Sequence, residues 1–183
     1  MTERHNEAPI EIAGVALERL WELVPPVTRS STYVPQANEL RRVLDLLRKS
    51  KIEIIDVPSL VDLYQFDKRQ AGYYIEAARE LGVVEKFAVD AYRLSDLGLA
   101  IRNSPESIAL TKFMSAVVGL PIVLRVLSEL RQRPEHSVPR LELNTLVNDF
   151  SRARYKGSLS RRVDSLVSWL RWLENNSEFG LAE

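Results

Sequence analysis

Two clusters of basic and polar side chains, each at the predicted start of a helix, are the residues best suited to chemistry in this sequence. The first is Lys68, Arg69 and Gln70, with Tyr73 one turn further on. Lysine and arginine can bond guanine O6 and N7, glutamine can pair with adenine, and a helix N-terminus attracts phosphate. Because Arg69, Gln70 and Tyr73 lie off the apolar stripe of their helix, they are expected to face a nucleic-acid groove. An ordinary solvated helix start is the alternative.

The second cluster falls in the segment RARYKGSLSRR, residues 152–162, which holds five basic residues and no acid. We expect hydroxyls, guanidinium groups and backbone N–H groups to converge on phosphate there. A solvated surface loop is the alternative for such a run of charge. The predicted contact residues of this cluster are Arg152, Arg154, Tyr155, Lys156, Ser158, Ser160, Arg161 and Arg162.

Catalytic chemistry finds no comparable cluster. The chain has no cysteine, and its two histidines, His5 and His136, lack the spacing of a metal-ligand pair. No glycine-rich phosphate loop is present. None of the six lysines has an acidic residue two positions before it, which a metal-dependent restriction nuclease would be expected to show. We therefore expect neither an enzyme nor a cofactor or metal site.

Bulk composition limits the class of protein. Hydrophobic residues make up 45% of the 183 residues, which is enough for a buried core. Lysine plus arginine number 25, as do aspartate plus glutamate, so the net charge of zero argues against a uniformly basic nucleic-acid coat. No apolar run approaches the ~20 residues of a membrane span, and the N-terminus does not read as a signal peptide. We expect a cytoplasmic protein with no membrane partner.

The elements predicted around the first cluster are a helix, a turn, a second helix and a hairpin, in that order. A helix over Pro58 to Tyr64 precedes a second over Lys68 to Leu81, for which Asp67 is a suitable N-cap and Gly82 a suitable stop. Two β-type runs follow within residues 83–95. This order is typical of a winged helix-turn-helix, whose second helix most often enters the DNA major groove.

The second half of the sequence repeats that order. Pro139 to Phe150 is a proline-led helix, a polar break follows, and a long helix runs from Ser158 to Asn175. Phe179 to Ala182 could form the first strand of a second wing, so either that wing is reduced or the chain is a module of something longer. Trp169 and Trp172 lie on one side of the long helix, and we expect them in the core rather than stacked on bases.

These patterns predict a mainly α protein with small β-hairpin wings, an α+β tandem winged helix-turn-helix. Residues 1–35 are expected to form a tail, a helix over Glu11 to Leu23 and a connector. Residues 36–104 would be the first winged-helix domain, opening with a helix over Gln36 to Lys49. Residues 105–183 would hold two linking helices and a second winged-helix-like domain whose wing is reduced or cut short.

Three stretches carry a family resemblance: FDKRQAGYYIEAARELGVVEK, YRLSDLGLAI and SRRVDSLVSWLRWLE. They resemble a tandem winged-helix module that lies N-terminal to the nuclease domain in bacterial restriction-modification and defence proteins. The matching motifs are the aromatic-rich helix from Arg69 to Leu81 and the helix from Arg161 to Trp172, within a span of Ile55 to Leu173. The resemblance implies a DNA-recognition module that delivers a nuclease domain or subunit. This sequence departs from such proteins in showing no nuclease portion of its own.

The function expected from these features is binding of double-stranded DNA, with the two helix starts as reading elements. Two linked modules would contact neighbouring groove segments and bind more tightly than either alone. The main alternative is a protein–protein adaptor that uses the tyrosine and tryptophan faces, and the zero net charge favours it. A simple transcriptional regulator is a further alternative.

Overall fold

Helices dominate the fold. The structure, a computed structural model, describes residues 8–27, 31, 33–34, 36–49, 51–150 and 159–178. Within them the chain is mainly helical with two small antiparallel sheets, in agreement with the predicted α+β class. In chain order the elements are β1 (Ile10–Glu11), α1 (Gly14–Glu22), α2 (Leu40–Arg48), α3 (Val57–Tyr64), α4 (Lys68–Glu80), β2 (Val84–Ala88), β3 (Ala91–Leu94), α5 (Asp96–Asn103), α6 (Glu106–Val118), α7 (Pro121–Gln132), β4 (Ser137–Val138), α8 (Arg140–Phe150) and α9 (Leu159–Asn176).

Caps define the ends of the two helices around the first cluster. At α3 the Asp56 carboxylate accepts a hydrogen bond from the backbone N–H of Ser59 at 2.8 Å, and Pro58 lies in the first turn, where its missing N–H is not needed. At α4 Asp67 takes the same role, as predicted. Gly82 follows α4 with a φ of 66°, a left-handed conformation that suits glycine. The predicted bounds of both helices are confirmed to within one residue.

A hairpin follows α4, and a third backbone segment joins it. Strands β2 and β3 pair antiparallel, with Val84 opposite Leu94. Ile55 forms an antiparallel bridge to Tyr92 on the other side of β3, with N–H to O=C bonds of 2.7 and 2.9 Å. Within residues 52–57 only Ile55 pairs in this way, because the chain turns into α3 directly afterwards.

Helix α2 begins later than its apolar stripe predicts. The prediction placed the start at Gln36, but residues 36–39 are not helical and the helix begins at Leu40. These residues bond to α4 and α9 instead. Tertiary contacts therefore override a helical pattern that is correct over the rest of the segment.

The N-terminal segment pairs with the second half of the chain. Ile10 lies opposite Val138 in the antiparallel β1–β4 sheet. The helix predicted from Glu11 accordingly begins only at Gly14, as α1, and β4 lies in the link between α7 and α8. Strands of two residues have no hydrophobic period, and these partners are distant in sequence, so no local pattern predicts them.

One contiguous hydrophobic core draws residues from every helix of the described chain. Helix α1 packs against α7 and α9, α5 packs against α6, and α8 packs against α9. Trp169 is 2% exposed, as predicted, and Trp172 is half-buried with its ring edge-on to Phe113. The three predicted segments of the chain share this core, and the boundaries between them stay predictions.

Candidate nucleic-acid interface

A cleft of about 400 Å³ brings together the starts of α4 and α9. These are the two helix starts that the sequence predicts as nucleic-acid contacts, and the non-helical residues before α2 complete the lining. We call this site the cleft. Its lining residues are Gln36, Asn38, Glu39, Asp67, Arg69, Gln70, Tyr73, Tyr74, Arg161 and Asp164.

The start of α4 is held by reciprocal capping bonds. The Asp67 carboxylate accepts from the backbone N–H of Gln70 at 2.8 Å, and the side-chain oxygen of Gln70 accepts from the N–H of Asp67 at 3.4 Å. Such a capping box satisfies two N–H groups that the helix itself leaves unpaired. It also occupies the amide oxygen of Gln70. Two-point pairing of Gln70 with adenine, expected from the sequence, therefore requires the box to open.

Two exposed cations lie at the same helix start. Lys68 has no hydrogen bond or ion pair within the part of the chain that the structure describes. Arg69 donates from Nε to the Tyr73 hydroxyl at 2.5 Å, and its guanidinium lies 5.5 Å from the centroid of that ring. The first turn of α4 carries no acidic residue. Both cations therefore remain available to an external anion.

The start of α9 presents one arginine to solvent and buries the next. Arg161 is exposed, and its guanidinium has no hydrogen bond or ion pair to any described residue; Ser160 beside it is also exposed. Arg162 is 4% exposed, donates to the carbonyl oxygen of Val34 and lies 5.3 Å from the centroid of the Tyr33 ring. The assignment of Arg162 to the DNA surface is therefore corrected, because this side chain lies on the face of α9 that packs inward.

Three carboxylates share the cleft with the arginines, and each already has a partner. Asp67 is part of the capping box, Glu39 bonds Arg42 at 2.9 Å, and Asp164 bonds Arg140 at 2.5 Å. The bond to Glu39 raises the pKa of the Arg42 guanidinium. The two ion pairs offset negative charge that would otherwise repel a phosphate.

Tyr74 forms the buried side of the cleft and is 8% exposed, so it belongs to the hydrophobic core. Its hydroxyl oxygen accepts from the backbone N–H of Glu39 at 3.3 Å, and its ring stacks on Phe66 at a centroid distance of 4.7 Å. Burial raises the pKa of the Tyr74 phenol, so the hydroxyl keeps its proton at neutral pH.

A short segment before α2 bonds to α9 along one side of the cleft. We define residues 33, 34 and 36–39 as the strap. The indole N–H of Trp169 donates to the carbonyl oxygen of Ala37 at 2.6 Å. The hydroxyl of Ser165 donates to the side-chain oxygen of Asn38 at 2.6 Å. Trp169, one of the largest buried side chains, is thus oriented by the strap.

The strap also bonds to α4. The Tyr33 hydroxyl donates to the Glu76 carboxylate, and Tyr74 accepts from the strap at Glu39. One segment therefore bonds both helices that border the cleft and fixes their separation. The sequence predicts only a connector up to residue 35. The apolar side chain of Val34, which is 1% exposed, is the feature of the sequence that could have indicated a packed strap.

The hairpin tip lies away from the cleft lining and has a different character. Arg93 on β3 pairs with Glu85 on β2 at 2.8 Å, and its guanidinium lies 5.6 Å from the centroid of the Phe87 ring. Phe87 is 56% exposed and Val89, in the turn, is 84% exposed. The tip therefore offers apolar side chains, with Lys86 as an exposed cation beside them.

Several predicted residues lie outside the part of the chain that the structure describes. Their phosphate contacts, and the strand predicted over residues 179–182, stay predictions. The contact residues concerned are Arg152, Arg154, Tyr155, Lys156 and Ser158.

The described residues show neither a metal-ligand cluster nor a single membrane-spanning helix. No group of three histidine, aspartate or glutamate side chains there could hold a metal ion. No single helix among them has the length and apolarity to cross a bilayer. Helices α6 and α7 pass that test only as a pair, and they are bent by 85° at the break between them.

A family model covers most of the chain. Its description is a domain of unknown function, DUF7226, and it matches residues 42–178. The chain belongs to the DUF7226 family. The family segment includes both helix starts at the cleft and begins after the strap residues Gln36, Asn38 and Glu39. No curated protein and no solved structure matches the chain.

Proposed function

We propose that this DUF7226 protein binds double-stranded DNA through the surface around the cleft. The observation that carries the proposal is the meeting of two helix starts whose exposed cations, Lys68, Arg69 and Arg161, have no acidic partner among the described residues. Cations at a helix N-terminus are unfavourable for the helix itself by roughly 0.3–1 kcal/mol each. Their placement is better explained by an anion that binds there.

The element order of the first half supports a winged helix-turn-helix. Helices α2, α3 and α4 are followed by the β2–β3 hairpin, and Ile55, between α2 and α3, pairs with β3 through Tyr92. A short strand between the first two helices that joins the hairpin as a third strand is part of the winged-helix pattern. On this interpretation α4 is the recognition helix, and its exposed start enters the major groove.

The second half supports a related module. Helix α7, strand β4, helix α8 and helix α9 follow one another as α2, Ile55, α3 and α4 do. Strand β4 pairs antiparallel with β1, as Ile55 pairs with Tyr92, so the N-terminal strand takes the place of a wing strand. On this interpretation α9 is the second recognition helix, and the protein is a tandem winged-helix module.

The cleft changes how the two modules would meet DNA. Since Arg69 and Arg161 line one site, they would contact the same stretch of duplex rather than two separated groove segments. Lys68 and Arg69 would reach base edges and nearby phosphates, and Arg161 would hold a phosphate on the adjoining backbone. A local cationic site on a neutral protein fits this mode better than a wide electrostatic footprint does.

The proposal is tested by duplex binding at several salt concentrations. Phosphate contacts release counterions, so the affinity of wild-type protein should fall steeply with salt. Arg161→Ala should weaken binding to every duplex and reduce the salt slope by about 1. Arg171→Ala is the matched control, because Arg171 is exposed on the same helix, roughly 15 Å further along its axis. Binding that is insensitive to salt, or equal losses in the two variants, would rule out the proposal.

Base reading by α4 makes a separate test. Arg69→Ala should change which sequences are enriched in a selection from random duplexes, at a cost of ~1–3 kcal/mol for a lost two-point base contact. Lys112→Ala, which removes an exposed cation from α6, should leave the enriched sequences unchanged. If Arg69→Ala enriches the same sequences as wild type, the start of α4 contacts phosphates and does not read bases.

The exposed hairpin tip favours a second candidate function, a protein–protein adaptor. Phe87 and Val89 are large apolar side chains that solvent reaches, as at the centre of a small protein interface. The adaptor would show no saturable, salt-sensitive shift of duplex DNA. The family resemblance of the sequence adds a partner nuclease domain or subunit to the DNA-binding proposal.

A further inference from the structure

We propose that the cleft binds one unpaired nucleotide whose base carries an exocyclic amine, as cytosine, adenine and guanine do. The inference deepens the DNA-binding proposal, on which it rests, by naming what enters the site between the two helix starts. The relevant features are the volume of the cleft, the exposed guanidinium groups, the half-buried Tyr73 ring and the hydrogen-bond acceptors in the lining.

The volume of the cleft suits a nucleotide and excludes a duplex. At about 400 Å³ it falls in the range of small-molecule sites, roughly 300–1,000 Å³. A duplex can therefore lie across the opening but cannot enter. One base with its sugar and phosphate is the part of a nucleic acid that can, provided that the base has left the stack or lies at an unpaired position.

The exposed lining residues suit the phosphate. Arg69 and Arg161 come from different helices and are both exposed. Arg69 is held in place by its bond to the Tyr73 hydroxyl, which reduces the entropy lost when it binds an anion. Two guanidinium groups on one opening can share the oxygens of a single phosphate.

The Tyr73 ring suits a base. It is half-buried in the cleft lining, and the Arg69 guanidinium already lies over it. Bases stack on tyrosine rings and on guanidinium planes in single-strand sites, where each stacked base contributes ~1–3 kcal/mol. An unpaired base can therefore stack on this ring or on the guanidinium over it without disturbing the core residue Tyr74.

The polar atoms of the lining favour a base with an amine. Glu39, Asp67 and Asp164 each use one carboxylate oxygen in the bonds described above, and the other oxygen has no hydrogen bond from a described residue. Carboxylate oxygens accept from an exocyclic amine such as cytosine N4. Thymine offers no amine, so it should bind less well.

The experiment compares duplexes that differ at one position. Wild-type protein is titrated with a fully paired duplex and with the same duplex carrying one unpaired cytosine or one unpaired thymine. We expect about tenfold tighter binding of the unpaired cytosine than of the paired duplex, in keeping with one stacked base. We expect the unpaired thymine to lie between them. Free cytidine monophosphate is titrated in parallel, to separate a nucleotide in a strand from a free one.

Two variants locate the effect at the ring. The affinity for the unpaired-cytosine duplex, divided by the affinity for the fully paired duplex, should fall from about ten to about one in Tyr73→Leu, since this variant lacks the stacking surface. Tyr73→Phe keeps the ring and should retain the preference. Urea denaturation of both variants checks that each is folded.

The outcomes separate the two proposals. Equal affinity for paired and unpaired duplexes, or a preference that survives Tyr73→Leu, overturns the nucleotide site and leaves duplex binding intact. Binding of free cytidine monophosphate without any binding of DNA supports the site and overturns the DNA-binding proposal. If neither DNA nor the free nucleotide binds, both proposals are wrong.

Discussion

Adjacent arginines at the start of α9 have opposite surroundings. Arg161 is exposed, whereas Arg162 is buried against the strap. The reason is helical spacing, since Arg162 shares a face of α9 with the buried Leu166 and Trp169, which follow at intervals of four and seven residues. Charge alone does not distinguish the two positions. The buried Arg162 stabilises the fold, whereas the exposed Arg161 lies at the surface.

Replacing Arg162 should therefore destabilise the fold. Arg162→Ala removes a buried charge-assisted bond to the Val34 carbonyl and leaves that oxygen unpaired, so we expect a loss of about 2 kcal/mol in the free energy of unfolding. Arg161→Ala is the neighbouring control and should stay within about 0.5 kcal/mol of wild type. Urea denaturation measures both. Similar unfolding midpoints for the two variants would contradict the burial of Arg162.

Tyr64 gives the fold a dependence on alkaline pH. Its hydroxyl donates to the carbonyl oxygen of Arg42 at 3.1 Å, and burial raises its pKa to about 12 from the ordinary value of about 10. Because the folded pKa lies above the unfolded one, the stabilisation is fully present below about pH 10 and is lost as the pH rises through about 12. Tyr64→Phe should flatten this decline in urea midpoints. Parallel declines in variant and wild type would assign the loss to other groups.

At the scale of elements, the distance to a neighbouring backbone segment decides whether a glycine position can hold a side chain. A Cβ added at Gly98 in α5 would lie 2.1 Å from the carbonyl oxygen of Val83, so the start of α5 packs directly on the backbone that leads into the hairpin. A Cβ added at Gly72 in α4 would meet nothing within 4 Å. Ser95 strengthens the same junction by donating to the carbonyl oxygen of Gly82 at 2.6 Å.

The two glycines should respond to alanine in opposite directions. Gly72→Ala should stabilise the protein by roughly 0.5–1 kcal/mol, because glycine has a low helix propensity. Gly98→Ala should destabilise it by about 1–3 kcal/mol or more, because backbone must move to relieve the clash. Thermal unfolding of the pair is the measurement. A stabilised Gly98→Ala variant would show that α5 does not pack as closely as described.

Local signals account for what the sequence predicts well. Helices with a cap and an apolar stripe, such as α4 behind Asp67, are predicted to within a residue or two. Contacts distant in sequence account for the differences. The β1–β4 pair, the strap and the buried Arg162 depend on partners far along the chain, which no local period reports. At the cleft, the basic residues at the two helix starts were predictable from the sequence. That α4 and α9 bring them to one site was not.

At the scale of the whole molecule, one core joins all the helices. The contiguous cluster includes Leu60 from the first half, Leu143 from the second, and Leu20 from α1. Helices that share a core lose their partners together when any of them unfolds. Two domains predicted from the sequence need not therefore be two units of stability.

Unfolding should accordingly occur in a single step. Far-ultraviolet circular dichroism reports on all helices, whereas the fluorescence of Trp21, Trp169 and Trp172 reports on α1 and α9. We expect the two signals to give the same midpoint in urea, since a two-state protein shows coincident transitions by different probes. A second transition seen by dichroism alone would mean that the segment from residue 36 to 104 unfolds independently.

The β1–β4 pair has a consequence for how the protein is made on the ribosome. Ile10 is translated long before Val138, its partner in the sheet. At roughly 5–20 residues per second, the interval is on the order of ten seconds. During that time the apolar face of α1 has emerged but α7 and α9, which cover it, have not. The apolar face of α1 is therefore prone to aggregation during this interval. A chaperone that binds α1 would protect it.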